Sequence, residues 1–139
     1  GIAAAPPNPT AVKGVKALTG KTTINIAGCP AHPDWIVWAI AQLVVGATVA
    51  LDSSGRPKAL YGTTVHDRCP RRETDEAQTF GIDRLCLKEV GCKGPETRAV
   101  CPTTKWNGGV NWCVDANAPC IGCTEPSFPL VGMMKGDDD

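Results

Sequence analysis

Seven of the eight cysteines in this 139-residue chain lie between Cys69 and Cys123. With one histidine they form two successive groups of four soft donors. The first is His66-x2-Cys69-x16-Cys86-x5-Cys92, and the second is Cys101-x11-Cys113-x6-Cys120-x2-Cys123. Four such donors are the number that holds one iron–sulfur cube. The Cys120-x2-Cys123 pair alone says less, because zinc knuckles and redox motifs use the same spacing. A zinc ribbon would show two such pairs, and here the other gaps of 5, 6, 11 and 16 are not zinc-like. A thioredoxin-type role would place the pair at the start of a helix, whereas Pro119 precedes it and Pro126 follows soon after. Disulfides suit an even cysteine count, though usually in smaller secreted domains. Iron–sulfur, zinc and disulfide chemistry therefore all stay open on spacing alone, and His66 by itself reads equally as a polar turn residue.

These donors need elements to hold them. Residues 11–18 read as a short helix, with Thr10 as cap and Gly20 past its end. Residues 22–27 alternate and are β-branched, as in a strand. Gly28-Cys29-Pro30 stops it, which places Cys29 in a turn at a strand's carboxyl end, where open α/β sheets put ligand sites. His32-Pro33-Asp34 opens a helix, with proline and an acid in the first turn. Its apolar run over 35–45 ends at Gly46 and is expected to be a buried helix. Read on to Leu51, the run is at the short limit for a membrane span of about 17 residues and is interrupted by polar residues, so no span is expected. Residues 71–79 are polar enough for one exposed helix. Beyond Gly81 the chain is broken by glycine and proline and is loop-dominated. His32 is expected to play a structural role. Trp106 and Trp112 are expected to pack over a cluster, and Arg68, Arg71 and Arg72 to form part of a solvated mixed-charge face.

The 14 basic and 14 acidic residues cancel, which argues against nucleic acid as a partner. Asp137 to Asp139 is the longest run of like charge and reads as a solvated terminus. The chain opens without Met and without a signal-peptide pattern, so it reads as processed or as a fragment. With 15 glycines and 12 prolines, much of the backbone should be irregular. Metal binding energy then stands in for part of the core.

The residues resemble the small subunit of nickel–iron hydrogenases. Gly28-Cys29-Pro30-Ala31-His32-Pro33-Asp34-Trp35 is similar to the family's G-C-P-x-[HN]-P motif. The likeness continues through Arg56-Pro57, Tyr61-Gly62, Val65-His66-Asp67 and Cys69-Pro70-Arg71-Arg72. Cys86, Gly91-Cys92-Lys93-Gly94-Pro95, Cys101-Pro102-Thr103, Trp106-Asn107, Pro119-Cys120-Ile121-Gly122-Cys123 and Glu125-Pro126 complete it. Ala4-Ala5-Pro6-Pro7-Asn8-Pro9-Thr10 is similar to a further family segment.

That resemblance implies an α+β, largely irregular chain. Residues 1–50 would be the terminal βα piece of a flavodoxin-like domain, and 51–139 an iron–sulfur-cluster-binding domain with short helices. It implies electron relay between a nickel–iron centre in a separate large subunit and an external carrier, a cytochrome or ferredoxin. None of this chain's residues would act as catalytic acid, base or nucleophile. His66, Cys69, Cys86 and Cys92 would bind a distal 4Fe–4S cluster. Cys101, Cys120 and Cys123 would bind a medial one, with Cys113 as fourth ligand where standard members carry proline. Cysteine at that position, as in the nickel–iron–selenium type, implies 4Fe–4S in place of 3Fe–4S. Cys29 would be the single remaining ligand of a proximal cluster, whose other cysteines belong to an N-terminal half missing here. Two clusters are therefore expected, and a third only with that half supplied. The expected location is periplasmic, with cytoplasmic as the alternative. The other functions open are a stand-alone ferredoxin-like carrier and a zinc or disulfide structural module.

Overall fold

Short helices joined by long irregular segments make up this computed structural model, which describes residues 8–81 and 84–128. The segment 4–7 and the tail Asp137 to Asp139 lie outside the described residues. In chain order the elements are α1 (Val15–Thr19), α2 (Pro33–Val44), α3 (Lys58–Tyr61), a 3-10 turn (His66–Arg68) and α4 (Cys101–Thr104). Among the described residues there is no strand ladder, only isolated bridges such as Thr64 with Arg98 and Glu76 with Cys86.

Three local expectations give way to tertiary competition. Residues 22–27 form no strand, and Asn25 links them to the turn at 54–55 through its backbone N–H (2.8 Å to Gly55 O) and side chain (2.7 Å to Ser54 O). α1 starts at Val15 because the Asn8 side chain closes a loop onto both the N–H and the carbonyl of Val12. Gly20 ends it in the left-handed region, as its position suggests. The helix expected over 71–79 is replaced by turns. Ala77 N–H donates to Cys86 O (2.8 Å) and Cys86 N–H to Asp75 O (2.9 Å), so this backbone is bound across the chain rather than along it.

α2 forms as its sequence dictates. The His32 ring accepts from Asp34 N–H, Pro33 opens the first turn, and Gly46 at φ 68° lets Ala47 N–H return to Gln42 O. The helix is not buried all round, however. Only Trp35 and Ala39 are buried, while Val37, Ile40, Leu43 and Val44 are more than half exposed. This chain packs against one face and leaves the opposite apolar face uncovered. No helix among the described residues is long and apolar enough to cross a membrane.

The core joins α2 to the segments that follow it. Trp35, Leu60, Tyr61, Val65, Leu87, Val100, Trp112 and Val114 form one cluster, and Cys69, Cys92 and Cys101 pack against it. Hydrophobic core and candidate ligands are thus the same region. A polar clamp closes one side. Arg56, with its side chain 7% exposed, donates to Asp52 Oδ2 (2.8 Å), Glu125 Oε1 (3.1 Å) and Thr124 O (2.8 Å). This fixes the chain beside Cys123. Above the clamp, Arg56 lies 5.3 Å from the Tyr61 ring, whose hydroxyl donates to Ala27 O.

Candidate metal centre

Five thiols line one cavity of about 390 Å³: Cys29, Cys101, Cys113, Cys120 and Cys123. Cys101 opens α4. Cys120 and Cys123 flank Gly122, whose φ of 76° folds the pair back on itself. Cys113 reaches the same cavity because its loop turns back, with Ala116 N–H bonding Trp112 O (3.0 Å) and Ala118 N–H bonding Cys113 O (2.9 Å). Cys29 stands on the exposed side, after Gly28. Gly28 has φ 148°, and a Cβ there would lie 2.8 Å from Pro30 O, so only glycine fits.

Burial pushes the Cys101 thiol up to about 12, and Cys123, Cys120 and Cys113 add to the shift. Cys120 also rises to about 12 through burial, against the opposing Gly122 N–H and Thr97 hydroxyl. Cys113 and Cys123 are raised by burial as well. Cys113 is exposed over the residue as a whole, yet it lines the cavity. Buried thiols that resist ionisation singly, and repel one another when ionised, suit a bound cation that takes their charge and releases their protons.

The second group converges on another pocket, lined by His66, Cys69, Cys86 and Cys92, with about 10 Å³ of free space. His66 begins the 3-10 turn, and Cys69 N–H closes that turn onto His66 O (3.1 Å). Gly94 packs beneath, where a Cβ would sit 3.4 Å from Cys92 Sγ and 3.7 Å from His66 Cβ. Burial raises the Cys69 thiol, and Cys92 and Cys86 raise it further. The two groups touch: Cys120 N–H donates to Cys92 Sγ at 3.2 Å, and Lys93 N–H to Cys120 O at 2.7 Å. Trp112 and Val65 line both pockets.

All eight cysteines are free thiols. Among the described residues no three His, Cys, Asp or Glu side chains converge closely enough to hold a single metal ion. The thiols stand around a space instead of about a point.

Residues 61–134 match the family described as NiFe/NiFeSe hydrogenase small subunit (C-terminal). The chain belongs to that family. It is 44% identical, over 92% of its length and 43% of the relative's, to the periplasmic [NiFe] hydrogenase small subunit of Solidesulfovibrio fructosivorans. It is 41% identical to the periplasmic [NiFeSe] hydrogenase small subunit of Desulfomicrobium baculatum, over 93% of its own length and 45% of the relative's. Against the recombinant [NiFeSe] hydrogenase of Desulfovibrio vulgaris Hildenborough the TM-score is 0.86 at 39% identity, covering 98% of this chain and 56% of that one. The chain thus spans less than half the length of these two curated relatives.

Membership implies iron–sulfur clusters, and the residues fit them. The donors are soft, and they line two pockets, four in the smaller and five in the larger, enough for a cube in each. Other expectations resolve around them. His32 is structural: Nδ1 accepts from Asp34 N–H, so Nε2 carries the proton and donates to Lys105 O. Trp106 and Trp112 do line the larger cavity. Arg68 is held by Thr63, Arg71 by Leu85 O and Asn117, and Arg72 by Glu73, which leaves a mixed-charge face. Sequence reasoning missed the support residues: Thr97, 2% exposed beneath the Cys120 thiol, and Arg56 as a buried clamp. Neither carries a local spacing signal.

Proposed function

We propose that this chain is the cluster-bearing electron-relay part of a nickel–iron hydrogenase small subunit. The observation that carries the proposal is the sorting of the donors into two adjacent pockets joined by the Cys120 N–H to Cys92 Sγ bond. Two 4Fe–4S clusters fit: a medial one on Cys101, Cys113, Cys120 and Cys123, and a distal one on His66, Cys69, Cys86 and Cys92. The clusters, when bound, supply one-electron exchange.

The chain's residues do the rest. The thiolates fix the positions, the apolar walls exclude water, and the amide of Cys120 stabilises charge on the Cys92 sulfur. His66 is a neutral ligand where the others are thiolates. It makes the distal set less negative and favours its reduction, in the direction set by histidine ligands in Rieske centres. Cys29, the fifth thiol of the larger cavity, is the ligand left over for a proximal cluster completed by the other half of the small subunit. Residues 1–50 are read as the end of that half's flavodoxin-like domain, and 51–139 as the cluster domain.

The uncovered apolar face of α2 suits burial against that half or against a large subunit that bears the nickel–iron or nickel–iron–selenium centre. An external carrier of cytochrome or ferredoxin type would meet the His66 end. A periplasmic location is supported by relatives named periplasmic.

The test is co-expression with the remaining half and a family large subunit. The chain should co-purify with nickel, and in that complex His66→Cys should lower the distal potential and slow carrier reduction by hydrogen. A chain that never associates with a nickel-bearing partner would instead favour a stand-alone carrier.

A further inference from the structure

Trp112 is 3% exposed, and its indole Nε1 is the buried side-chain nitrogen among the described residues that has no hydrogen-bond partner. An indole N–H is a donor only, and a buried donor left unmatched carries the full desolvation cost of the group. Its place is specific. Along its loop Asn111 and Cys113 line the larger cavity and Val114 lines the smaller, while Trp112 lines both. Val65 stands on the same partition, the bonded pair Cys92 and Cys120 adjoins it, and none of the polar side chains that line the two pockets, Thr97, Asn111, Thr124, His66 and Lys88, bonds the indole nitrogen.

We propose that the Trp112 Nε1–H donates a hydrogen bond to a sulfur of an iron–sulfur cluster at this partition and so raises that cluster's potential. The inference rests on the cluster reading above. Reduction adds one electron to the cluster and moves no proton from the indole. The added charge settles partly on sulfur, so the bond is stronger in the reduced form, and the reduced form is favoured. Trp112 is then a potential-determining residue, and the two clusters are the two sources of the same acceptor.

The experiment uses the chain assembled with its remaining half and loaded with clusters, titrated redox-wise under electron paramagnetic resonance. Trp112→Phe keeps an aromatic ring and removes the donor. One of the two clusters should fall in potential and lose an exchangeable deuteron coupling in pulsed spectra after transfer to heavy water. The cluster affected identifies the acceptor as medial or distal. Val65→Ala loosens the same partition without removing a donor, and should not lower either potential. Intact clusters with unmoved potentials in Trp112→Phe would overturn the inference alone, as would an equal fall in Val65→Ala. A wild-type chain free of iron would overturn the cluster reading beneath it.

Discussion

Replacing Cys113 by proline should convert the medial cluster from four irons to three. Each iron of a cube needs one protein ligand. In the proposed arrangement Cys101, Cys120 and Cys123, which line the 390 Å³ cavity, would supply three corners, and Cys113, which lines it too, the fourth. Proline offers no donor, and the iron at that corner would be lost. On oxidation the variant should show a three-iron resonance that the wild type lacks, and its medial potential should move with the change of cluster. Cys113→Ala should do the same, which separates ligand loss from the backbone effect of proline. Cys29 lines the same cavity and is the competing fifth thiol. A four-iron spectrum in Cys113→Ala that becomes three-iron when Cys29→Ala is added would give the corner to Cys29. A three-iron signal in undamaged wild type would remove Cys113 from the ligand set.

Arg56→Ala should destabilise the chain by about 3–5 kcal/mol, the cost of breaking a buried ion pair and leaving its partners unmatched. Asp52 and Glu125 would both lose their cation, and Thr124 O would lose its donor. The same clamp gives stability an acid limb. Burial pushes the Asp52 carboxyl up, but the backbone and side chain of Arg56 and the Ser54 N–H outweigh it and hold the carboxyl below its ordinary 3.8. A carboxylate depressed in the folded state contributes fully above its unfolded value. That contribution is lost as pH falls through the lower, folded value. Denaturant unfolding followed with pH should therefore show the loss below about pH 4, and Asp52→Asn should flatten that limb. Because Thr124 adjoins Cys123, Arg56→Ala should also release medial iron faster. Unchanged unfolding midpoints in Arg56→Ala would show that the clamp contributes nothing.

The grouping of His66 and seven cysteines around two pockets was legible in the sequence, because eight residues of soft-donor type stand there in two ordered groups. α2 was legible for a similar reason: His32, Pro33 and Asp34 write its start locally, and Gly46 its end. The strand at 22–27 and the helix at 71–79 were not, because propensity is a weak prior where partners decide. Residues 22–27 find the turn at 54–55 and the Tyr61 hydroxyl in place of a neighbouring strand, and 75–77 are taken up by Cys86. The exposure of α2 was hidden for the same reason, since an apolar run does not say which surface will cover it. Trp112 could be read as packing near a cluster. Its orphaned nitrogen and its place in both walls are properties of the folded loop and have no trace in spacing.

The most direct test is the iron and acid-labile sulfide content of the chain after anaerobic reconstitution. Two cubes predict about eight irons and about eight sulfides per chain, in a brown protein. Bound zinc without sulfide would contradict the cluster account altogether. About twelve irons without any added subunit would contradict the place given to Cys29, because its companions in a third cube would then have to come from this chain.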